Sequence, residues 1–279
     1  MLIRVSLFIF LIAVPIQRAA ANDSELTCFS GGEQSVLDYL EKGGDPNSIY
    51  SSGESCLMYA ILIESNQAVR TLLGHNADVH YVMPQTGQDA LFTAIAIKNR
   101  EIVQQLVDHG AKPDRLLRIE GWGHITALHL AVVVQDAEIV SFLLDKGVDP
   151  DIADGQFNRG RPLHIAIEVR NEKIIGLLLK RGANPDFHSG EYLRAALLRK
   201  CLPCLIALLD NGADVNAADS ESGQTILHYA VSFDDPSLLD VLIRYGADPH
   251  ARDRSGRNAL EIAVSEGKMH SLKYLQERK

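Results

Sequence analysis

The chain alternates short apolar runs with polar turns, and residues 123–154 show this pattern most clearly. Two apolar runs, each about two helical turns long, are separated there by Gln135 and Asp136. The hydroxyl of Thr126 is placed to cap the first run as a helix. Gly147 is placed to end the second run, because the left-handed residue after a helix is most often glycine. Neither helix can bury its apolar face alone, so the pattern predicts a copy of the unit on each side.

Copies of this unit recur along the chain. The residue that ends the second helix returns at intervals of 33, 34, 37, 35, 30 and 34 residues, as Gly43, Asn76, Gly110, Gly147, Gly182, Gly212 and Gly246. The first helix opens with a Leu-His motif at Ala127-Leu-His-Leu-Ala, Pro162-Leu-His-Ile-Ala and Ile226-Leu-His-Tyr-Ala. A period of about 33 residues with this opening is the signature of ankyrin repeats. From about Ser24 to its C-terminus, the chain therefore resembles the ankyrin-repeat family.

This resemblance implies an all-α solenoid of about eight helix–turn–helix repeats with β-hairpin fingers between them. The expected repeats run approximately over 24–50, 53–81, 87–115, 123–154, 159–187, 188–219, 223–253 and 256–279. In this family the motif histidine hydrogen-bonds the neighbouring turn, which implies a structural role for His129, His164 and His228. The resemblance also implies that the chain binds another protein, but it does not identify that protein.

The first 21 residues do not fit the repeat and have the features of a secretory signal peptide. Arg4 lies in a short N-terminal region, an apolar segment follows over 5–14, and three alanines at 19–21 supply the small residues of a cleavage site. The apolar segment is short for a spanning helix, which disfavours the alternative of an N-terminal anchor. We expect a signal peptide at 1–21 and an ankyrin-repeat domain at 22–279, located in the periplasm of a Gram-negative cell. A secreted eukaryotic protein is the alternative origin.

Composition narrows the kind of partner. The chain has 36 acidic and 27 basic residues and a net charge of −9 at pH 7. Cleavage after Ala21 removes Arg4 and Arg18 and no acidic residue. The 27 basic residues then fall to 25, against the same 36 acidic residues. Nucleic acid is disfavoured because phosphate binding needs a clustered basic surface, and no basic run is present. After cleavage of the signal peptide, we expect no membrane insertion.

The four cysteines gain importance from the expected export, since disulfides persist in oxidising compartments. Cys201 and Cys204 form a C-x-x-C motif, with Cys201 expected in the turn between two helices and Cys204 at the start of the second. A structural disulfide, two reduced thiols and a redox-active pair are all open for this motif. Cys28 and Cys56 lie in the first helices of adjacent repeats, where a disulfide would join the weak first repeat to the second if the Cα atoms lie within about 7 Å.

Three neighbouring fingers carry apolar residues at loop positions, where polar residues are usual. Two of these fingers fall in the long intervals of 37 and 35 residues, where insertions often mark the binding face. The third finger has a nearly normal length but is unusually apolar. Together they supply candidate partner-binding residues, namely Tyr81, Val82, Met83, Leu116, Leu117, Trp122 and Phe157. Trp122 is the only tryptophan and could be a hot spot or could fill the core of its hairpin.

A second group of candidates lies at the ends of the first helices, which line the groove in this family and are commonly polar. Here they include Val133, Val134 and Phe233. Contiguous exposed apolar surface usually marks a partner site. The alternative is that these side chains pack under their own fingers or against the second helices.

Chemistry at a metal or catalytic site has little support in the sequence. No pair among the ten histidines has the i, i+4 spacing of a helical zinc site. A Gly-x-Ser-x-Gly nucleophile turn and a phosphate-binding glycine loop are both missing from the sequence. We therefore expect no cofactor, no metal and no catalytic residue, and the chain is predicted not to be an enzyme.

Two functions fit these expectations. The first is a periplasmic ankyrin module that binds and neutralises a secreted or periplasmic enzyme, such as a phospholipase or a cell-wall hydrolase, as immunity proteins of this family do. Its acidic charge would speed the capture of a basic partner. The alternative is an oxidative-stress accessory protein that acts beside a periplasmic catalase, of which a haem-binding version is one form. A haem site needs an accessible His, Tyr or Cys in an apolar groove.

Overall fold

The structure is a computed structural model, and it describes residues 28–29, 31–119, 123–153, 160–187 and 189–277. These residues form fifteen helices and one two-stranded antiparallel sheet. Contacts between Cα atoms divide the chain into two compact units, one ending at Pro162 and one beginning at Leu163. Among the described residues, no helix combines the length and the apolar composition needed to cross a membrane.

The described part of the N-terminal unit contains a single helix, three helix pairs and the sheet. Its elements are α1 (Gly32–Glu41), α2 (Cys56–Leu62), α3 (Asn66–Gly74), α4 (Ala90–Ala96), α5 (Arg100–Asp108), β1 (Leu117–Ile119), β2 (Gly123–Ile125), α6 (Ala127–Val133) and α7 (Ala137–Asp145). The first helices α2, α4 and α6 pack side by side, and so do α1, α3, α5 and α7. Each helix thereby buries on its neighbours the apolar face that it cannot bury alone.

The C-terminal unit contains four helix pairs. Its elements are α8 (Pro162–Glu168), which starts at the boundary, α9 (Glu172–Lys180), α10 (Glu191–Leu198), α11 (Leu202–Asp210), α12 (Ile226–Val231), α13 (Pro236–Arg244), α14 (Ala259–Glu266) and α15 (Met269–Gln276). Neighbouring pairs pack through α9 on α11, α10 on α12, α12 on α14 and α13 on α15. The helix-rich architecture of repeated pairs is as predicted, while the count of eight repeats stays a prediction.

Left-handed residues end the helices as the sequence predicts. All seven recurring turn residues have positive φ, from 60° at Asn76 to 96° at Gly110. A second set precedes the second helix of six pairs, with φ between 53° and 61°, at Glu64, Lys98, Gln135, Arg170, Lys200 and Asp234. Five second helices then begin with an N-cap whose side-chain oxygen accepts a backbone N–H bond, namely Ser65, Asn99, Asp136, Asn171 and Asp235.

Two of the motif histidines join one repeat to the next, as the resemblance implies. The backbone N–H of Thr225 donates to Nδ1 of His228, at 3.1 Å, so the ring proton lies on Nε2. Nε2 then donates to the carbonyl of Arg257 in the following repeat, at 3.2 Å. His129 makes the same pair of contacts, with Thr126 and with the carbonyl of Gly160. These histidines are buried and structural.

Candidate partner-binding surface

Aspartates fold the chain back at the start of the first two fingers of the N-terminal unit. The Oδ1 atom of Asp45 accepts the N–H of Asn47 at 2.8 Å, and Oδ1 of Asp78 accepts the N–H of His80 at 2.8 Å. These are Asx turns, in which a short polar side chain replaces a backbone partner. The backbone that follows each turn is extended and forms antiparallel pairs, as isolated bridges in the first two fingers and as β1–β2 in the third.

Three apolar residues stand at the same position in these fingers, six residues after the left-handed residue. They are Ile49, Val82 and Leu116. The side chain of Ile49 is 53% exposed, that of Leu116 is 47% exposed, and Val82 is half-buried. Ile49 was missed at the sequence level, although its register relative to Val82 and Leu116 could have identified it. We call these three residues the finger ridge.

The residue after each ridge position faces the other way, because successive side chains of an extended strand point to opposite sides. Met83 and Leu117 are both buried for this reason. The prediction that they contact a partner is therefore corrected, since both belong to the core under their own fingers.

The groove prediction is also corrected at Val133 and Val134, which are both buried. Helix α6 packs against α4 in the stack, and this packing removes the apolar end of α6 from water. Phe233 is half-buried at the end of α12 and stays a prediction. Trp122 and Phe157 lie outside the described residues, so their predicted role is untested.

Tyr81 connects the first two fingers. Its side chain is half-buried, and its hydroxyl donates to the carbonyl of Gly53 at 2.8 Å. Together with Ile49 and Leu57 it lines a pocket of about 270 Å³ between the fingers. The other lining residues are Pro46, Asn47, Ser55 and Asp78. The pocket therefore offers an apolar wall at one end of the finger ridge, with one carboxylate at its rim.

The second and third fingers form a wider and more polar recess of about 430 Å³, lined by His80, Lys112, Asp114 and Arg115. The guanidinium of Arg115 donates to the carbonyl of His80 at 3.0 Å and holds the two fingers together. Beneath the recess, burial raises the pKa of Asp89, although the N–H of Phe92 and the charges of Arg115 and His80 act to lower it. Asp89 serves as the N-cap of α4, with Oδ1 accepting the N–H of Phe92 at 2.8 Å.

Both pairs of cysteines form disulfides. Cys28 and Cys56 are joined with their Cα atoms 5.8 Å apart, and Cys201 and Cys204 with their Cα atoms 5.2 Å apart. Cys201 is the N-cap of α11 and Cys204 lies in its first turn, as predicted. Within the described residues, no three His, Cys, Asp or Glu side chains group in a way that could hold a metal ion.

A family model described as "Ankyrin repeats (3 copies)" matches the chain over residues 25–116, 115–189 and 193–279, which is most of its length. Similar curated proteins include the ankyrin repeat and LEM domain-containing protein 1 homolog of Caenorhabditis elegans, which is 42% identical over 72 residues. The nuclear factor NF-kappa-B p105 subunit of Mus musculus is 39% identical over 77 residues, and the 2-5A-dependent ribonuclease of Homo sapiens is 38% identical over 60 residues.

These matches are short compared with either protein. They cover 26%, 27% and 22% of this chain and only 10%, 8% and 8% of the three relatives, respectively. The likeness to the ribonuclease therefore concerns a repeat segment and carries no catalytic activity to this chain.

Proposed function

The chain belongs to the ankyrin-repeat family, whose repeats bind other proteins, and on this basis we propose that the finger ridge is its protein-binding surface. One observation carries the proposal: Ile49, Val82 and Leu116 stand in one register on three successive fingers, and two of them are strongly exposed. A monomer gains nothing from exposing aliphatic side chains in register, whereas burying them against a partner contributes about 1.5–3 kcal/mol for each fully buried side chain.

The pocket beside Ile49 indicates how a partner is held. Its volume of about 270 Å³ suits a single apolar side chain, which Leu57 and Tyr81 would surround. Binding energy at protein interfaces concentrates in a few such fully desolvated contacts. The carboxylate of Asp78 at the rim and the net charge of −9 favour a partner that is basic around this side chain.

We further propose that the chain is exported to the periplasm and there inhibits a secreted or periplasmic enzyme, in the manner of an immunity protein. The signal-like segment at 1–21 supports export, and so do the two disulfides, which are typical of oxidising compartments. The inhibition would be steric, with the fingers covering the enzyme's active site or the surface with which it meets a membrane.

The test starts from the protein purified with its leader removed and uses it to capture partners from a periplasmic extract. Variants Ile49→Asp and Leu116→Asp place a charge on the finger ridge, and Val264→Asp is the matched control because Val264 is 61% exposed on α14 in the other unit. The captured partner is then purified, and its affinity for each variant and its enzymatic activity are measured.

We expect the two ridge variants to weaken the affinity at least about tenfold, which is about 1.4 kcal/mol. The control variant should bind and inhibit like the unchanged protein. A partner that binds all three variants equally would exclude the finger ridge as its site. A partner whose activity is unaffected by binding would exclude inhibition while leaving the ridge in place.

A further inference from the structure

The turn between α10 and α11 exposes apolar side chains at both of its ends. Leu198 is 70% exposed, the highest value among the large apolar side chains described, and Leu202 is 40% exposed. Pro203 beside it is also exposed. We call residues 198–203 the stapled turn. In the pairs before and after it, the residue equivalent to Leu198 is polar, Glu168 and Ser232.

A disulfide holds this turn in place. Leu202 and Pro203 are the two residues between Cys201 and Cys204, and both sulfur-bearing side chains are buried beneath them. The N–H of Cys204 donates to Sγ of Cys201 at 3.3 Å, where five other second helices use an oxygen cap. A rigid exposed pair of apolar residues loses little conformational entropy on binding, so the disulfide preorganises a contact surface.

Three exposed cations lie in or beside the stapled turn, although the chain as a whole is acidic. Lys200 lies within it, and Arg170 occupies the equivalent left-handed position in the preceding pair. Lys173 is exposed at the start of α9. The two turns are side by side, since Nε of Arg199 donates to Oε1 of Glu168 at 2.9 Å and their charges cancel.

Carboxylates lie beside this cluster and in the following helix pair. Glu172 is an exposed carboxylate at the start of α9. In the following pair, Asp234 accepts bonds from the N–H of Ser271 and from His270, and Asp235 caps α13. Over residues 168–173 and 198–203, where Arg199 and Glu168 cancel, the three cations exceed the one remaining carboxylate, Glu172, and leave a local positive excess.

We propose that the stapled turn, together with Arg170 and Lys173, is a second docking surface, and that it binds an acidic segment of a protein that carries an aliphatic or aromatic side chain. The apolar side chain covers Leu198, Leu202 and Pro203, and its acidic neighbours meet the three cations. This surface lies at the opposite ends of the helices from the hairpin turns of its own unit, about 12 Å away along the eight-residue α10. None of its residues belongs to the finger ridge.

An anionic membrane is the less favoured partner. Membrane-surface binding usually relies on an amphipathic helix with a wide apolar face and many basic residues. Here α10 and α11 bury their apolar faces in the core and leave three apolar side chains outside. The net charge of −9 also opposes approach to an anionic surface.

The experiment selects binders from a displayed library of random short peptides, with the purified full chain immobilised through its C-terminus. A chain carrying both Leu198→Asp and Lys200→Glu removes peptides that bind elsewhere. Enriched peptides are synthesised, and their affinities are measured by fluorescence anisotropy for the unchanged chain, Leu198→Asp, Lys200→Glu and the control Val264→Asp. Circular dichroism verifies that each variant is folded, as expected for changes at exposed positions.

The proposal expects enriched peptides that combine Asp or Glu with Leu, Ile or Phe. Their affinity should fall about tenfold or more in Leu198→Asp and in Lys200→Glu, stay unchanged in Val264→Asp, and weaken as salt is added. Replacing both Cys201 and Cys204 by Ala should weaken binding less, since it removes rigidity and not contacts.

Three results would overturn the proposal. The first is no enrichment, and the second is enrichment of peptides without acidic residues. The third is cosedimentation with phosphatidylglycerol vesicles that is lost in Leu198→Asp, which would assign the surface to lipid. None of these results affects the finger ridge, whose test uses different variants.

Discussion

At the scale of single residues, backbone conformation explains why glycine recurs at the turns. Gly182 ends α9 with φ of 93°, a conformation that side chains with a Cβ atom rarely adopt. Asn76 fills the same position in an earlier repeat with φ of 60°, which fits the tolerance of asparagine for this region. Because local backbone sterics alone select these residues, the turns could be predicted from the sequence.

Two glycines near α9 give a matched test of this account. A Cβ atom added at Gly182 or at Gly176 meets nothing within 4 Å, so packing does not distinguish the two sites. Gly182→Ala should lower the free energy of unfolding by about 1–2 kcal/mol, because its backbone is left-handed. Gly176→Ala should raise it by about 0.5–1 kcal/mol, because Gly176 lies inside a helix. Urea denaturation measures both, and equal effects of the two changes would contradict the backbone explanation.

Side-chain direction in the fingers is another property of single residues. Val82 and Leu116 are partly exposed while their neighbours Met83 and Leu117 are buried, as the alternation of an extended strand requires. The sequence showed that the fingers are apolar, but not which of two adjacent residues faces inward. That choice depends on where the hairpin pairs, and pairing is a tertiary property.

At the scale of elements, a histidine joins the last two helix pairs. His228 on α12 bonds to Thr225 at its own helix start and to the carbonyl of Arg257, which precedes α14. The sequence identified this residue through its motif position. Its partner is 29 residues away, so only the stacking of repeats brings the two groups together.

Replacing His228 by Ala should loosen the last pair, α14 and α15, more than the rest of the chain. The change leaves the carbonyl of Arg257 without its donor at a partly buried junction, which costs about 1 kcal/mol, the low end of the range for a buried acceptor. Hydrogen exchange followed by mass spectrometry should show that the variant exchanges faster than the unchanged chain, and that this increase is larger over 259–276 than over 191–210. Uniform faster exchange in both segments would indicate that the bond does not act locally.

The two disulfides act on elements of different kinds and should differ in their stabilising effect. Cys28–Cys56 closes a separation of 28 residues and ties the segment before α1 to α2, whereas Cys201–Cys204 closes a separation of three within one helix start. Chain entropy predicts about 3.6 kcal/mol for the first and about 2 kcal/mol for the second. Double Ala variants of each pair, compared by denaturation, should keep this order, and the reverse order would contradict the entropic account.

At the scale of the whole molecule, charge distribution makes the two units respond differently to acid. In the C-terminal unit, the N–H of Ser271 foremost, with His270, lowers the pKa of Asp234. The N–H of Arg257 lowers the pKa of Asp253, and the N–H of Ser222 lowers that of Asp219. In the N-terminal unit, burial raises the pKa of Asp89. The carboxylates therefore stabilise the C-terminal unit above their ordinary pKa of about 3.9.

We expect this contribution to be lost as pH falls through the lowered pKa values, below about pH 4. Asp234→Asn keeps an acceptor for Ser271 and suits the left-handed backbone at this position, where φ is 53°. It should be less stable than the unchanged chain at neutral pH, and this difference should vanish in acid. Thermal unfolding across this pH range measures it.

Asp89→Asn is the matched control, because the pKa of Asp89 is raised whereas that of Asp234 is lowered. A raised pKa means that folding disfavours the carboxylate form of Asp89. The contribution of Asp89 to the stability of the fold is therefore greatest at low pH, and it is lost as pH rises through the raised pKa. Asparagine also caps helices well, and the change should therefore be neutral or stabilising at neutral pH. Loss of stability at neutral pH in both variants would show that the hydrogen bonds these side chains accept, and not their charges, are responsible.

The sequence by itself determined what depends on neighbouring residues and on composition: the period, the helix ends and the acidic balance. Tertiary structure decided which apolar residues remain for a partner. It buried Met83, Leu117, Val133 and Val134 and exposed Ile49, Leu116 and Leu198. The physical reason is that burial depends on strand pairing and on what each neighbouring repeat covers. An apolar pattern has the same appearance in the sequence whether it faces the next repeat or the solvent.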